Sequence, residues 1–263
     1  RAYLEHGMSN LPQPVRLYYF CPIFRYERPQ AGRYRQHHQF GIEAIGDDDP
    51  LIDAEVIQIG WGLTEDLGLR DLSLVVNTIG DAACRPTYLQ ALKEYYGQYL
   101  SRVCEVCHTR YENNPLRLLD CKQQRCQIYI GNAPRSFDYL CSACRDHWDT
   151  LQMYLNRMDI PYRVDHRLVR GLDYYTRTVF EIQPLDEGGQ SAVVGGGRYD
   201  GLIQELGAHP TPGIGFGSGI ERLILNLKQQ GVCVKEDSRR PIVIAHMGPE
   251  ARAHGLELAT KLR

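Results

Sequence analysis

The sequence predicts a mixed α+β fold, an antiparallel sheet flanked by helices, with a largely helical insertion and the start of a further α/β domain at its end. Three observations predict it. Segments rich in Tyr, Phe, Ile and Val recur on both sides of a central stretch. Within that stretch, residues 82–160, strand patterning gives way to helical spacing and to cysteine. After residue 231 a polar, charged linker leads to an apolar run and then a helical one, which reads as the first βα unit of a separate domain. The expected organisation is therefore 1–81 and 161–231 for two parts of one core, 82–160 for the insertion, and 232–263 for the linker and the new domain.

Each element has a local reason. Residues 16–27 (RLYYFCPIFRYE) carry the aromatic and branched residues of a strand, residues 28–36 (RPQAGRYRQ) carry the Pro and Gly of a loop, and residues 37–46 read as the returning strand. Apolar residues at helical spacing place a helix from near Asp53 to Gly68, and LSLVVNTI at 72–79 makes a strand. In the insertion, 86–102 and 145–158 read as helices. YRVDHRLV, TVFEIQPL and SAVVGG return to strand, TPGIGFGSG runs into the apolar helix IERLILNLKQQG, and PIVIAHMG with PEARAHGLELATKLR forms the closing strand and helix.

Composition excludes more than it assigns. The 263 residues are enough for a sizeable core, and 43% hydrophobic with 24% charged is ordinary for a globular protein. A formal net charge of −2 gives no global pull on nucleic acid, so any RNA contact has to come from local patches. No apolar stretch is long enough to span a bilayer, and no membrane partner is expected. The first residues, RAYLEHGMSN, show no signal-peptide pattern; they lack an initiating Met and open as if inside a helix, so the natural terminus is expected further upstream.

Four stretches carry chemistry. In FRYERPQAGRYRQHHQFGIEAIG, Arg25 and Glu27 lie two apart on a strand, Arg33 sits in the loop, and Gln39 and Glu43 share one face of the returning strand. Arginine forks match phosphate or carboxylate oxygens, so this is either a polyanion site or an exposed hairpin with a solvated charge network. In LVRGLDYYTRTVFE, Arg170 precedes a glycine and Tyr174–Tyr175 precede a strand; a ligand site and a surface arginine beside core tyrosines both fit. In VVGGGRYDGLI three glycines allow close backbone approach to a ligand, or a tight turn; neither dinucleotide nor Walker spacing is present. In GIGFGSGIERLIL alternating glycines enter a helix bearing Glu221 and Arg222, an anion site or a close-packed joint.

The order and wording of these stretches resemble the histidyl-tRNA synthetases, a branch of the class II aminoacyl-tRNA synthetases. FRYERPQ with GRYRQHHQFGIEAIG is similar to the family's motif 2, and GIGFGSGIERL looks like motif 3. RGLDYYTRTVFE and GGGRYDGL look like the two signature stretches of the histidine enzyme, and the likeness extends to EHG at 5–7 and NPLRLLDCK at 114–122. The resemblance implies the class II antiparallel sheet and an enzyme that activates histidine with ATP and Mg2+, then transfers it to tRNA(His). It implies that Arg25 holds the α-phosphate and the reacting carboxylate, that Glu27 meets the adenine amino edge, and that Arg33 and Arg222 clamp the outer phosphates. Arg170 would stabilise charge on the α-phosphate as a catalytic residue with Arg25. Glu43 and Tyr175 would read the substrate imidazole, with Gln39, Tyr174 and Tyr199 alongside. His37 departs from the Phe that often stacks on adenine in the family, but an imidazole can stack too. A cytoplasmic homodimer is also implied, with motif 1 expected before Arg1 and the anticodon-binding domain only begun. The alternatives are a non-catalytic, histidine-binding regulatory paralogue of histidine biosynthesis and an RNA-binding or stress-sensing module on a degenerate synthetase domain. The arginine set disfavours the first and the intact motifs the second.

Six of the nine cysteines crowd into one short stretch of the insertion, residues 104–144. The pairs Cys104-x-x-Cys107 and Cys141-x-x-Cys144 suit a structural Zn2+, with Cys121 and Cys126 as competing ligands and free buried thiols as the alternative. CEVCH at 104–108 matches a haem-attachment string without supporting context, and disulfides fit a reducing cytosol poorly. In the family this insertion lies near the tRNA acceptor arm, which makes Arg102, Arg110, Arg117, Lys122 and Arg125 candidates for phosphate contacts or ordinary solvated charge.

Overall fold

The aromatic and β-branched segments pair into one seven-stranded sheet in the computed structural model, which describes residues 1–26, 34–185, 192–232 and 244–261. In chain order the elements of the larger unit, Arg1–Val232, are α1 (Ala2–Glu5), β1 (Val15–Phe24), β2 (Gln36–Ile45), α2 (Pro50–Asp66), β3 (Leu72–Thr78), α3 (Arg85–Gly97), α4 (Glu105–Asn113), α5 (Gln124–Ile130), α6 (Ser142–Arg157), β4 (Tyr162–Val164), β5 (Thr176–Pro184), β6 (Val194–Arg198), α7 (Leu202–Glu205), β7 (Gly213–Gly219) and α8 (Ile220–Gln229). The sheet runs β1-β2-β7-β6-β5-β3-β4 and is antiparallel except for the β3–β4 pair.

β1 is an edge strand, which tolerates Pro22 because only one side of its ladder is paired. α2 begins three residues earlier than the apolar spacing suggests. Asp49 caps it, its side chain accepting from Leu51 N at 2.8 Å, and Pro50 fits the first turn, where no amide donor is required. The helix stops at Gly68, whose φ of +83° lets Leu69 N reach back to Thr64 O at 3.0 Å.

One face of the sheet makes the core. Ala44, Leu74, Val76, Phe180, Ile182, Val194, Ile214 and Phe216 pack with Ile52, Ala54, Val56 and Ile57 of α2 and with Trp148, Leu151 and Leu155 of α6. α6 falls within the stretch expected to be insertion, yet its buried stripe belongs to the sheet core. The insertion has a separate core built on Tyr88, Leu92, Tyr96, Leu118, Leu119, Ile130 and four cysteines.

Several expectations shift at their edges. β1 ends at Phe24, so Arg25 lies just past the strand; Glu27 and Arg33 fall outside the described residues. Helix α3 ends at Gly97, and Leu100–Arg102 is a separate 3-10 turn. YRVDHRLV contributes only three strand residues, because Asp165 turns the chain by taking charge-assisted bonds from Arg163 and Arg167 at 3.0 and 2.7 Å. The triple glycine is strand β6 and not a tight turn. In the smaller unit, Cys233–Arg263, α9 (Pro249–Lys261) forms as expected, but residues 244–247 carry no regular structure, and 241–243 lie outside the described residues.

Under the sheet, Asp53 of α2 is fully buried between two partners. Its Oδ1 accepts from Arg198 Nε at 2.9 Å and also pairs with Nη2, while Oδ2 lies 2.8 Å from His147 Nε2 on α6. Burial alone would raise the Asp53 carboxyl, but the Arg198 charge beside it holds it below its ordinary value. Removing one member strands a buried charge. Asp53→Ala is expected to lower unfolding free energy by ~3–5 kcal/mol in urea titrations, and pairing it with Arg198→Met to recover much of the loss. A single-variant loss below about 1 kcal/mol would contradict this account.

Candidate functional site

The opposite face of the same strands carries the polar chemistry, and glycine makes the room for it. β7 and β6 alternate large or core-facing residues with Gly213, Gly215, Gly217, Gly219, Gly195 and Gly197. A Cβ on Gly215 would stand 1.9 Å from Glu43 Oε2, one on Gly217 2.4 Å from Gln39 Nε2, and one on Gly195 2.9 Å from Arg170 Nη1. Long polar side chains from neighbouring segments therefore lie flat over a bare backbone floor.

At one end this face opens into a cleft of about 820 Å³ lined by Arg25, His37, Gln39, Arg170, Glu181 and Arg222. Arg25 N extends the hairpin ladder by donating to Arg35 O at 2.8 Å, and Arg25 Nη2 lies 2.9 Å from His37 Nε2. Burial, and then the Arg25 charge, push His37 below its ordinary pKa, so it is a neutral ring that can accept from Arg25. Arg170 pairs with Glu181 and stands 5.7 Å from the Tyr175 ring centroid; its buried Nε has no hydrogen-bond partner among the described residues. Burial raises the Glu181 carboxyl, opposed by Arg170. Arg222, in the first turn of α8, donates to Ala192 O at 3.1 Å. Its neighbour Glu221 accepts from His38 N at 2.9 Å and pairs with His38 Nδ1 at 2.8 Å, fastening α8 to β2. The far wall comes from the insertion: Arg110, Arg117, Lys122 and Arg125 line the same cleft. A space bounded by so many guanidinium and ammonium groups suits a polyanion.

Further along the floor, Glu43 is half-buried and accepts from Tyr199 Oη. Burial pushes Glu43 up to about 7, and the hydroxyl bond opposes that rise. The Tyr174 and Tyr175 rings are 4.6 Å apart, and Tyr174 meets Tyr199 edge-on at 6.1 Å. Gln39 Nε2 donates to Tyr19 Oη at 2.6 Å. A carboxyl poised near neutrality among phenols and an amide suits a small polar ring or amine.

Of the sequence-derived ligand-site residues that the structure describes, Arg25, His37, Gln39, Glu43, Arg170, Tyr174, Tyr175, Tyr199 and Arg222 meet on one face, in two groups joined through Gln39, Arg170 and Tyr175. Glu181 and Tyr19 were not singled out beforehand. Glu181 had a signal, a carboxylate in mid-strand within an otherwise apolar VFEI run; Tyr19 had none, because alternate aromatic residues on a strand read equally well as packing.

The cysteine pairing expected for a metal is corrected. Cys104 and Cys107 group with Cys121 and Cys126, while Cys141 and Cys144 group with Asp81 and Cys84. Cys104–Cys107 opens α4 in the insertion core, whereas Cys141–Cys144 opens α6 beside the sheet, so the two C-x-x-C turns serve different clusters.

An antiparallel sheet with a glycine floor, an arginine-lined cleft at one end and a carboxylate–tyrosine pocket along it defines the catalytic fold of the class II aminoacyl-tRNA synthetases. The chain belongs to the histidyl-tRNA synthetase family, whose profile matches residues 3–223. It is 56% identical over 263 residues to a histidine–tRNA ligase of Dehalococcoides mccartyi and 50% identical to one of Caldanaerobacter subterraneus, covering 100% of this chain and 63% of each relative. Among solved structures it is similar to apo histidyl-tRNA synthetase of Staphylococcus aureus, with a TM-score of 0.75 and 37% identity over 100% of this chain and 63% of that one. The chain spans about 63% of the length of these relatives.

The raised Glu43 carboxyl sets a testable pH dependence. Between its unfolded value of 4.5 and its folded value of about 7, the folded state holds a proton that the unfolded state has lost. Stability of the ligand-free protein therefore falls through this window as pH rises. Glu43→Gln, which has no charge to bury, is expected to gain thermal stability over the parent progressively across it and to keep a constant margin above. A margin that does not change with pH would count against a late-titrating Glu43.

Proposed function

We propose that the protein containing this chain is a histidine–tRNA ligase. It joins histidine and ATP into histidyl-adenylate with release of pyrophosphate, and then transfers histidine to the 3′-terminal ribose of tRNA(His). The observation that carries this reading is the shared glycine floor, on which Arg25, Arg170 and Arg222 border one cleft and Glu43 with Tyr175 and Tyr199 occupies the adjoining stretch.

In this reading the substrate imidazole rests against Glu43, whose carboxylate accepts from a ring N–H, with Tyr174, Tyr175, Tyr199 and Gln39 completing the polar contacts. A pocket built on buried polar groups discriminates strongly against apolar isosteres, which would leave those groups unpaired. One carboxylate oxygen of histidine attacks the α-phosphorus, the bond to the bridging oxygen breaks, and pyrophosphate leaves in line. Arg25 and Arg170 are set to meet the charge that develops on the α-phosphate, and Arg222 with Arg33 the charge on the leaving group. Glu27 and His37 take the adenine. Mg2+ bound to ATP would neutralise charge on the outer phosphates; four carboxylates border the cleft, Glu105, Asp120, Glu181 and Glu221, and the last three are already paired with Lys122, Arg170 and His38, so arginines supply most of the fixed counter-charge. The insertion's Arg110, Arg117, Lys122 and Arg125 favour a second polyanion, the tRNA acceptor end, on the opposite wall. An arginine-rich cleft of this kind favours the ligase over the regulatory histidine-binding reading.

Tyr18, Phe20 and Phe24 form an exposed aromatic row on edge strand β1, which supports a homodimer contact or cover by another part of the protein. No helix among the described residues is long and apolar enough to cross a membrane, and a cytoplasmic location follows from the proposed role.

Histidine-dependent ATP–pyrophosphate exchange by the full-length protein tests the proposal. Arg170→Ala is expected to lower exchange by roughly a hundredfold or more while histidine still binds in calorimetry. Glu43→Gln should chiefly raise the KM for histidine. Absence of histidine-dependent exchange in the parent protein would refute the ligase reading, and equal loss of binding and exchange in Arg170→Ala would assign that arginine a structural part instead.

A further inference from the structure

The geometry points to a structural zinc site formed by the thiolates of Cys104, Cys107, Cys121 and Cys126, which pins the insertion's basic wall to the cleft. Their four sulfur atoms all lie within 4.8 Å of one another, and all four residues are buried. Cys104 Sγ and Cys121 Sγ stand 3.8 Å apart, too far for a disulfide. Four thiolates about 2.3 Å from a central Zn2+ in a tetrahedron are about 3.8 Å apart, so the cluster requires little movement to close on the ion.

The surroundings fit a thiolate set better than four packed thiols, which offer one another only weak donors and acceptors. Cys104 N donates to Cys126 Sγ at 3.2 Å. Cys104 also caps the nine-residue helix α4, with Cys107 in its first turn, where unpaired amides favour negative charge. The fold around the cluster needs a staple. Between α3 and α6 lie two helices of nine and seven residues and a few 3-10 turns, sharing a core in which the four cysteines sit at the centre. Small, loop-rich units of this kind gain stability when a metal joins distant turns. Binding exchanges four S–H protons for one Zn2+, and the two negative charges left on the cluster are adjacent to a wall rich in arginine and lysine.

That wall gives the site its consequence. Cys104 and Cys121 border the cleft themselves, and Cys121 lies between Asp120 and Lys122, with Arg117 and Arg125 a few residues to either side. The metal would thus fix the loop from which these cations reach the cleft. The other cluster, Asp81 with Cys84, Cys141 and Cys144, already has a cation of the chain: Arg177 Nη2 is 3.5 Å from Asp81 Oδ2. It serves as the comparison.

The test is metal analysis of protein purified from zinc-supplemented cells and dialysed free of loose ions. Cys121→Ser is expected to hold roughly one zinc fewer per chain than the parent. Zinc X-ray absorption on the Cys141→Ser protein, in which the comparison cluster is broken, should report four sulfurs at about 2.3 Å. Cys121→His covers the case in which the serine variant does not fold, and should retain the metal with one nitrogen among its ligands. No tightly held metal in the parent, iron in place of zinc, unchanged zinc in Cys121→Ser, or an all-sulfur shell in Cys121→His would each overturn the site. On the same logic, a strong chelator should lower the melting temperature of the parent protein and leave Cys121→Ser unmoved; equal shifts in both would overturn it as well.

Discussion

The contact on which the arrangement of this protein depends is hidden under the sheet, where Asp53 of α2 meets Arg198 of β6 and His147 of α6. Three elements distant in sequence converge there, and all three side chains are buried. Burying an ion pair is a poor way to add net stability, since the desolvation cost of both charges is large. Its effect is on register. Side chains alternate along a strand, so holding Arg198 beneath the sheet puts Gly195 and Gly197 on top, and a slip by one residue would bring larger side chains onto the floor. The active face is open because its underside is anchored. His147 extends the same anchor to α6, the helix that ends the insertion, and so ties the cysteine-rich segment's exit to the core.

Above that anchor, the sheet separates two electrostatic regimes. The cleft gathers cations from three sources, the end of the hairpin, the segment before β5 and the start of α8, with a fourth group contributed by the insertion. Glu43 in the adjoining stretch and Glu181 at the border of the cleft are both raised by desolvation, one tempered by a tyrosine hydroxyl and the other by Arg170. Arg170 is the hinge between them, in contact with Glu181 on one side and the Tyr175 ring on the other, with a buried Nε left over. A group so placed can respond to ligands on both sides.

The glycines show why such a face is economical to encode. At Gly195, Gly197, Gly215 and Gly217 even one carbon would collide with Arg170, Tyr175, Glu43 or Gln39, and at Gly213 with Tyr199. The floor also lets side chains from the neighbouring strand β2 lie across the sheet instead of standing off it. His38 and Glu221 then close the join between β2 and α8, so that Arg222 is presented from a helix already fixed at its first turn.

The sequence by itself determined most of the strands, the α+β class, the family and the candidates for the site, because alternation along a strand and the wording of four motifs are local properties. Arg25, Gln39, Glu43, Arg170, Tyr175, Tyr199 and Arg222 were legible before any coordinate. Only the tertiary structure decided which partners they take. That α6 belongs to the sheet core follows from Trp148 meeting α2, a contact nearly a hundred residues apart that no window of sequence contains. Glu181 became a site residue only when β5 was seen beside β6, and the cysteines sorted by fold and not by spacing. The two C-x-x-C turns look equivalent in sequence, but helix α4 carries one into the insertion core beside Cys121 and Cys126, and α6 carries the other beneath the sheet beside Asp81 and Cys84. Spacing describes a turn; which turns meet is set by where their helices find a hydrophobic surface to bury.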